Sequence, residues 1–369
     1  MSIDINDANE APTEVIPNET FSLSKFSLRG ESKLMEEKML LDTFVLDRIA
    51  ILGQATTIYA KPNTGKTLLT LWMIIESIKA GRVNGDDVYY VNADDNYKGL
   101  VHKTRLAEKY GFHILSPQHK GFDAAELQGY MRQMIDDGTA SGKIIILDTL
   151  KKFTNLMDKT KGSEFMNRAR EFVSNGGTLI MLAHTNKRRD RDNKVVFGGT
   201  SDIVDDCDCV FTLDEVSRGD DVKSVLFENM KCRGDVATEI ALSYSMAEGA
   251  SYENRLESIE IADKAKTEKA KIEKANSIAR ERDYDVIKAL TEFITNGVNQ
   301  KTELVKAAND YCGTSKARLI RTLEKYEGKN FLNGDLWYQQ AGAKNLKTYH
   351  LLTGAMCAKE DYEFAKNKS

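Results

Sequence analysis

Eight residues, Ala60-Lys61-Pro62-Asn63-Thr64-Gly65-Lys66-Thr67, restrict what this chain can fold into more than any other stretch. They fit the phosphate-binding loop pattern of Gly or Ala, four free positions, Gly, Lys, then Ser or Thr, with Ala60 in place of the usual first glycine. The β-branched and aromatic run at 55–59 before the loop suits a buried strand, and the apolar stretch at 68–79 after it reads as a helix closed by Gly81. In a strand–loop–helix context, successive backbone N–H groups around Asn63 to Lys66 and the helix N-terminus form a concave anion site. Lys66 then reaches the β and γ phosphates, and Thr67 offers its hydroxyl to Mg²⁺. ATP and Mg²⁺ are the expected cofactors.

The pattern around the loop is that of a mostly parallel α/β sheet. Short apolar runs predict strands over 55–59, 87–92, 143–148, 178–183, 208–213, 223–229 and 239–243, the last two antiparallel. Helices are expected over 67–80, 97–110, 124–136 and 163–174. A length of 369 residues suggests two domains. Residues 1–46 read as a flexible acidic arm, 47–245 as the α/β core, 246–282 as a charged helical linker and 283–369 as a winged-helix-like domain. In that last domain helices at 283–295, 301–310 and 315–326 precede two apolar stretches, 331–338 and 347–352. The first is split by Asn333-Gly334, a hairpin signal.

Charge and composition narrow the function classes. The net charge of −4 conceals a basic C-terminal part, with 20 Lys and Arg against 15 Asp and Glu in residues 261–369. Contact with nucleic acid is favoured at that end, although a solvated helical surface also accounts for a modest excess. No stretch approaches the roughly 18 uninterrupted apolar residues of a membrane helix, and no export signal opens the chain, so a cytoplasmic protein without membrane contact is expected. Cys207, Cys209, Cys232, Cys312 and Cys357 lack metal-type pairing and read as reduced thiols.

Phosphate binding becomes hydrolysis only with a metal carboxylate and a group that handles water. The strand Lys143-Ile-Ile-Ile-Leu-Asp148 ends in an acid, the placement that sets a carboxylate near Mg²⁺, and Thr149 follows it. Asp94 and Asp95 end another strand. Asp94 is the favoured base, and Asp95 equally suits a helix cap. His184 ends a third strand, where a side chain is placed to sense the γ phosphate. Two loops, 151–162 and 186–197, leave the same side of the sheet. The second carries Lys187, Arg188, Arg189, Arg191 and Lys194, suited to a phosphate backbone, with a solvated loop as the competing reading. Lys316, Arg318 and Arg321 stand near the start of the third C-terminal helix, where a recognition helix meets DNA, although such modules also dock proteins.

Taken in order, the loop at 60–67, Tyr90-Val-Asn-Ala-Asp-Asp95, Ile146-Leu-Asp-Thr-Leu-Lys-Lys-Phe153, Ala183-His-Thr-Asn-Lys187 and the segment 198–208 resemble the motifs of RecA-like ring ATPases. The resemblance is nearest to RepA-type plasmid replicative helicases, with DnaB-type helicases and RadA behind, and covers about residues 47–245. It implies a hexameric, DNA-binding ATP hydrolase acting on single-stranded DNA in replication, with a replication-initiation partner. It also implies that Asp94 stands where the family usually has a glutamate base, and that Lys231 and Arg233 match the family's K-x-R element, reaching the γ phosphate of the next subunit. The competing expectation is a regulatory or mobile-element ATPase that uses ATP as an assembly switch without unwinding.

Overall fold

The computed structural model describes residues 22–38, 43–117, 119–189, 195–197, 201–219, 221–341 and 346–352, with only the backbone for 186–189, 195–197, 201, 202 and 332. Two compact units divide at Leu41, Met1–Leu41 and Asp42–Ser369. In the first, a short 3₁₀ turn at Leu23–Phe26 precedes helix α1, Ser32–Lys38, and Leu23, Phe26 and Leu28 are exposed. The rest of the predicted arm up to residue 21 lies outside the described residues.

The second unit opens with a small hairpin, β1 (Phe44–Leu46) and β2 (Ala50–Ile51). The core therefore begins before residue 47, because Val45 and Leu46 are fully buried and the Ser77 hydroxyl donates to the Phe44 and Val45 carbonyls. Then come β3 (Ala55–Ala60), α2 (Lys66–Lys79), β4 (Val88–Asn92), α3 (Tyr97–Tyr110), β5 (His113–Leu115), α4 (Leu127–Asp136) and β6 (Ile144–Asp148). Next are α5 (Lys159–Ser174), β7 (Thr178–Arg189), β8 (Val195–Phe197), α6 (Ser201–Asp206), β9 (Cys209–Arg218), β10 (Val222–Lys231) and β11 (Glu239–Ser245). Helix α7 (Tyr252–Glu257) and strand β12 (Glu260–Ile261) complete this part.

The main sheet has the order β12-β11-β10-β9-β3-β7-β6-β4-β5. From β9 to β5 neighbouring strands are parallel, while β10, β11 and β12 extend the sheet antiparallel. The β-branched and aliphatic runs bury both faces: Ile58, Ile146 and Ile180 face α2 and α3, and Tyr59, Leu147 and Met181 face α4 and α5. Strand β3, which feeds the phosphate loop, is separated from β6, which ends in Asp148, by β7 alone. That order sets the loop at the carboxyl end of a strand in the middle of the parallel sheet, between β7 and β9.

Two expectations for this part of the chain are revised. The strand expected to end at 183 continues to Arg189 and pairs antiparallel with β8 through Thr185 and Phe197 and through Arg189 and Val195, so part of the expected loop is strand, and residues 190–194 lie outside the described residues. The stretch expected as a charged linker is partly core, because Leu256 and Ile259 are buried in the cluster beneath the sheet, and β12 adds an exposed edge strand to β11. Its remainder forms helix α8 (Lys264–Arg282), which lies against the sheet through Lys274 to Asp214 at 2.9 Å and Lys271 to Glu239 at 2.8 Å.

Helices α9 (Tyr284–Thr295), α10 (Lys301–Cys312) and α11 (Lys316–Lys325) then pack with the hairpin of β13 (Trp337–Ala341) and β14 (Lys347–Leu351). Helix order and hairpin follow the sequence, but Asn333-Gly334 is not the hairpin turn. Phe331–Asn333 forms a 3₁₀ turn, and Gly334 takes a left-handed φ of 104°, where a Cβ would lie 2.7 Å from the Asn276 side-chain oxygen. Trp337 and Tyr349 are fully buried, and the Trp337 indole donates to the Leu323 carbonyl at 2.7 Å. Cys207, Cys209, Cys232 and Cys312 are free thiols, and among the described residues no helix is long and apolar enough to cross a membrane. Cys357 lies outside the described residues.

Candidate nucleotide site

The phosphate loop leaves β3 where that strand pairs with both of its parallel neighbours, Ala60 opposite His184 and Leu213. Ala60 is a fully buried strand residue with no left-handed backbone, which is why alanine serves at the first loop position. Gly65 is different. It caps α2 with φ 101°, and a Cβ there would lie 2.6 Å from the Tyr244 hydroxyl oxygen. Asn63 also holds a left-handed φ of 62°, and the Thr64 hydroxyl donates to the Lys61 carbonyl at 2.9 Å.

Parallel register brings the sequence candidates to one edge. Asn92, Asp148 and Leu182 are paired in succession, so Asp148, His184 and the Asp94-Asp95 turn follow the carboxyl ends of adjacent strands. Asp148 is buried, and its carboxylate accepts from Lys66 Nζ at 3.3 Å, Thr67 Oγ1 at 2.7 Å and Tyr90 Oη at 2.7 Å. Lys103, also buried, lies 3.7 Å from Asp148 and 2.6 Å from Asp95. Burial alone would push the Asp148 carboxyl up. The Lys66 and Lys103 ammoniums and the bonds from Thr67 and Tyr90 outweigh it and hold the carboxyl below the usual carboxylate range.

The two neighbouring acids are held differently. Asp95 accepts from Asn92 Nδ2 at 3.1 Å and pairs with Lys103, whereas the partly exposed Asp94 has Lys151 at 3.9 Å. Asn96, not Asp95, caps α3, accepting from the Gly99 N–H. His184 is held below the ordinary imidazole value by burial first and then by the Lys66 and Lys151 ammoniums, so it is neutral near pH 7.

Mg²⁺ fits this donor set. A carboxylate and a threonine hydroxyl meet at the loop, and the buried Asn92 Oδ1 and Thr149 Oγ1 have no hydrogen-bond partner among the described residues. Those are hard oxygens of the kind Mg²⁺ and its waters take.

Lys231 and Arg233 are elsewhere. Because β10 runs antiparallel to β9, Lys231 lies opposite Val210, toward the amino edge of the sheet. Lys231 Nζ donates to the carbonyls of Val204, at 3.1 Å, and Asp205. The Arg233 carbonyl accepts from Gln54 at 2.8 Å, and its guanidinium lies 3.4 Å from Asp208. Lys316, Arg318 and Arg321 are exposed on α11. Lys187, Arg188 and Arg189 lie on the extension of β7, with side chains outside the described residues, and Arg191 and Lys194 lie outside them altogether.

Sequence reasoning missed Tyr90, Lys103, Lys223, Tyr244 and Asp208. Signals existed for two of them. Lys103 falls on the stripe of Leu106 and Ala107 in α3, and Lys223 on the alternate positions of Val225 and Phe227 in β10, so each is a lysine on an apolar face.

No protein-family model matches the sequence, and no curated protein matches it. Among solved structures the chain is similar to a KaiC-like protein from the hyperthermophilic archaeon Pyrococcus horikoshii OT3. The identity is 14% and the TM-score 0.40, over 58% of this chain and 91% of that one. The strand order and the phosphate loop themselves define the core described above.

Proposed function

We propose that this chain is a Mg²⁺- and ATP-dependent ring motor, six copies to the ring, that acts on single-stranded DNA as a replicative-type helicase. The observation that carries the ring is the separation of Lys231 and Arg233 from the phosphate loop of their own subunit. Arg233 is anchored beside Gln54, before β3, and the loop begins after that six-residue strand. At about 3.3 Å per residue the two ends lie roughly 20 Å apart. A head-to-tail assembly is the arrangement in which these cations meet a γ phosphate, that of the next subunit.

Within the site each side chain has a separable task. Lys66 and the N–H groups of residues 63–66 bind the phosphates, and Thr67 and Asp148 would hold Mg²⁺, which supplies positive charge against the phosphate oxygens. Asp94, less engaged than Asp95, orients the attacking water and accepts its proton. Neutral His184 hydrogen-bonds toward the γ phosphate and relays whether it is present. Lys231 and Arg233 stabilise the transferring charge in trans. The β7–β8 hairpin, with Lys187, Arg188, Arg189, Arg191 and Lys194, and the loop at 151–162 track the DNA backbone. The C-terminal module, read as a winged helix, adds Lys316, Arg318 and Arg321, and a replication-initiation protein is the expected partner.

The deciding experiment is ATP hydrolysis with and without single-stranded DNA, on protein whose mass is measured in the same buffer with Mg²⁺ and nucleotide. Strong stimulation by DNA in a ring-sized oligomer, followed by duplex unwinding, is the expected result. The short side chain of Asp94 favours one other reading, a DNA-bound assembly switch with slow turnover. DNA-indifferent turnover by a monomer or dimer would select it.

A further inference from the structure

The phosphate loop is gripped from outside by two side chains that come from the antiparallel part of the sheet. Lys223, at the start of β10, is 2% exposed, and its Nζ donates to the Asn63 carbonyl at 2.7 Å. The same ammonium pairs with Glu215 of β9 at 2.7 Å. Directly opposite Lys223 in the β10–β11 register stands Tyr244, whose hydroxyl donates to the Thr64 carbonyl at 3.1 Å and lies over Gly65. Burial first, and then Glu215, pushes the Tyr244 phenol up to about 12, so it remains a donor throughout the neutral range.

A peptide unit is planar, and its C=O and N–H point in opposite directions. Fixing the Asn63 and Thr64 carbonyls outward therefore aims the N–H groups of Thr64 and Gly65 inward. Thr64 N–H makes only a long bond of 3.4 Å to the Lys61 carbonyl. The Asn63 backbone pays a strain cost for its left-handed φ, and such conformations persist where surrounding contacts over-determine them. Lys223 and Tyr244 are those contacts.

We propose that Lys223 and Tyr244 are positioning residues that hold the phosphate loop in its anion-binding conformation, so that phosphate affinity depends on two strands the loop motif does not contain. The inference rests on the nucleotide-site reading above and deepens it. A buried lysine is a costly residue, and its ammonium here is satisfied by one carboxylate and one loop carbonyl.

The test compares binding of Mg-ADP, and of pyrophosphate as a probe without base or sugar, by calorimetry on wild type, Lys223→Met, Lys223→Arg and Tyr244→Phe. Lys223→Met is expected to weaken both ligands by the same factor, about ten- to a hundredfold for the loss of one charged hydrogen bond. Lys223→Arg should restore most of it, and Tyr244→Phe should weaken both about threefold. Circular dichroism and the unfolding temperature without ligand establish that the variants fold. Should Lys223→Met fail to fold, Tyr244→Phe, which removes one oxygen, carries the test alone. Folded variants that bind both ligands like wild type would overturn the proposal. A wild-type chain that binds neither ligand would instead overturn the nucleotide-site reading itself.

Discussion

At the carboxyl edge of the sheet Lys66, Lys103 and Asp148 are buried and answer one another's charge, whereas at the amino edge Arg233 leaves 55% of its side chain in water and meets Asp208 at 3.4 Å. An ion pair that exposed contributes about 0–1 kcal/mol, so little holds the guanidinium to its own subunit. A buried set is different. Removing one member leaves the others charged and unpaired in a poorly solvated place, at a cost of about 3–5 kcal/mol. One edge is thus built to stay as it is until a ligand of matching charge enters. The other presents an arginine whose guanidinium can leave without breaking the fold.

The largest expected effects separate the edges by function. Lys66→Ala should lower ATP turnover by roughly a thousandfold or more and abolish tight nucleotide binding, because the loop loses its phosphate-binding cation. Full hydrolysis by that variant would end the argument for the carboxyl edge as the site. Arg233→Ala should cost about a thousandfold in turnover while leaving ADP affinity within a factor of two or so. Mixing it with Lys66→Ala subunits should recover activity, since each supplies what the other lacks. If mixtures stay inactive at every ratio, the cation does not act across subunits.

Two smaller effects sharpen the contrast through stability. Asp208 accepts from the Ala55 N–H at 2.9 Å and from Arg170 at 2.7 Å as well as facing Arg233, so Asp208→Asn should lower the unfolding free energy by about 2 kcal/mol, read by urea denaturation. Most of that loss should persist in an Arg233→Ala background, because the exposed arginine contributes little. The smallest effect concerns acid. The Asp148 carboxyl is depressed in the folded chain, so its contribution is fully present above the ordinary carboxylate value of about 3.9 and is lost as the pH falls through the lower folded value. Tyr90→Phe removes one of the bonds that depress it, at about 1 kcal/mol, and should move the acid-unfolding midpoint to higher pH. An unmoved midpoint would mean that the phenol does not stabilise the carboxylate.

How legible this was depended on whether the relevant residues were neighbours in sequence. Strand β3, the phosphate loop and α2 were readable because the pattern lies in one continuous segment and each part fixes the next through the backbone. Asp148 and His184 were readable because a parallel strand ends where its apolar run ends, and parallel register places such ends at one edge. The β13–β14 pairing was legible only as an expectation of some hairpin. Asn333-Gly334 carried the strongest local turn signal, yet the burial of Leu336 and Trp337 against α11 decided where the strand began.

The sequence by itself determined a phosphate loop in a mostly parallel α/β sheet, the acid that faces it and the helical, basic character of the C-terminal part. Only the tertiary structure decided that Tyr90 and Lys103 share Asp148, that Lys223 and Tyr244 grip the loop from outside, and that Arg233 lies at the far edge from the loop of its own subunit. The physical reason is the range of the interactions. Alternation, helical period and loop chemistry act over a few residues along the chain. Buried ion pairs and side-chain grips form between strands far apart in sequence, and their geometry exists only once the sheet order has set which strands are neighbours.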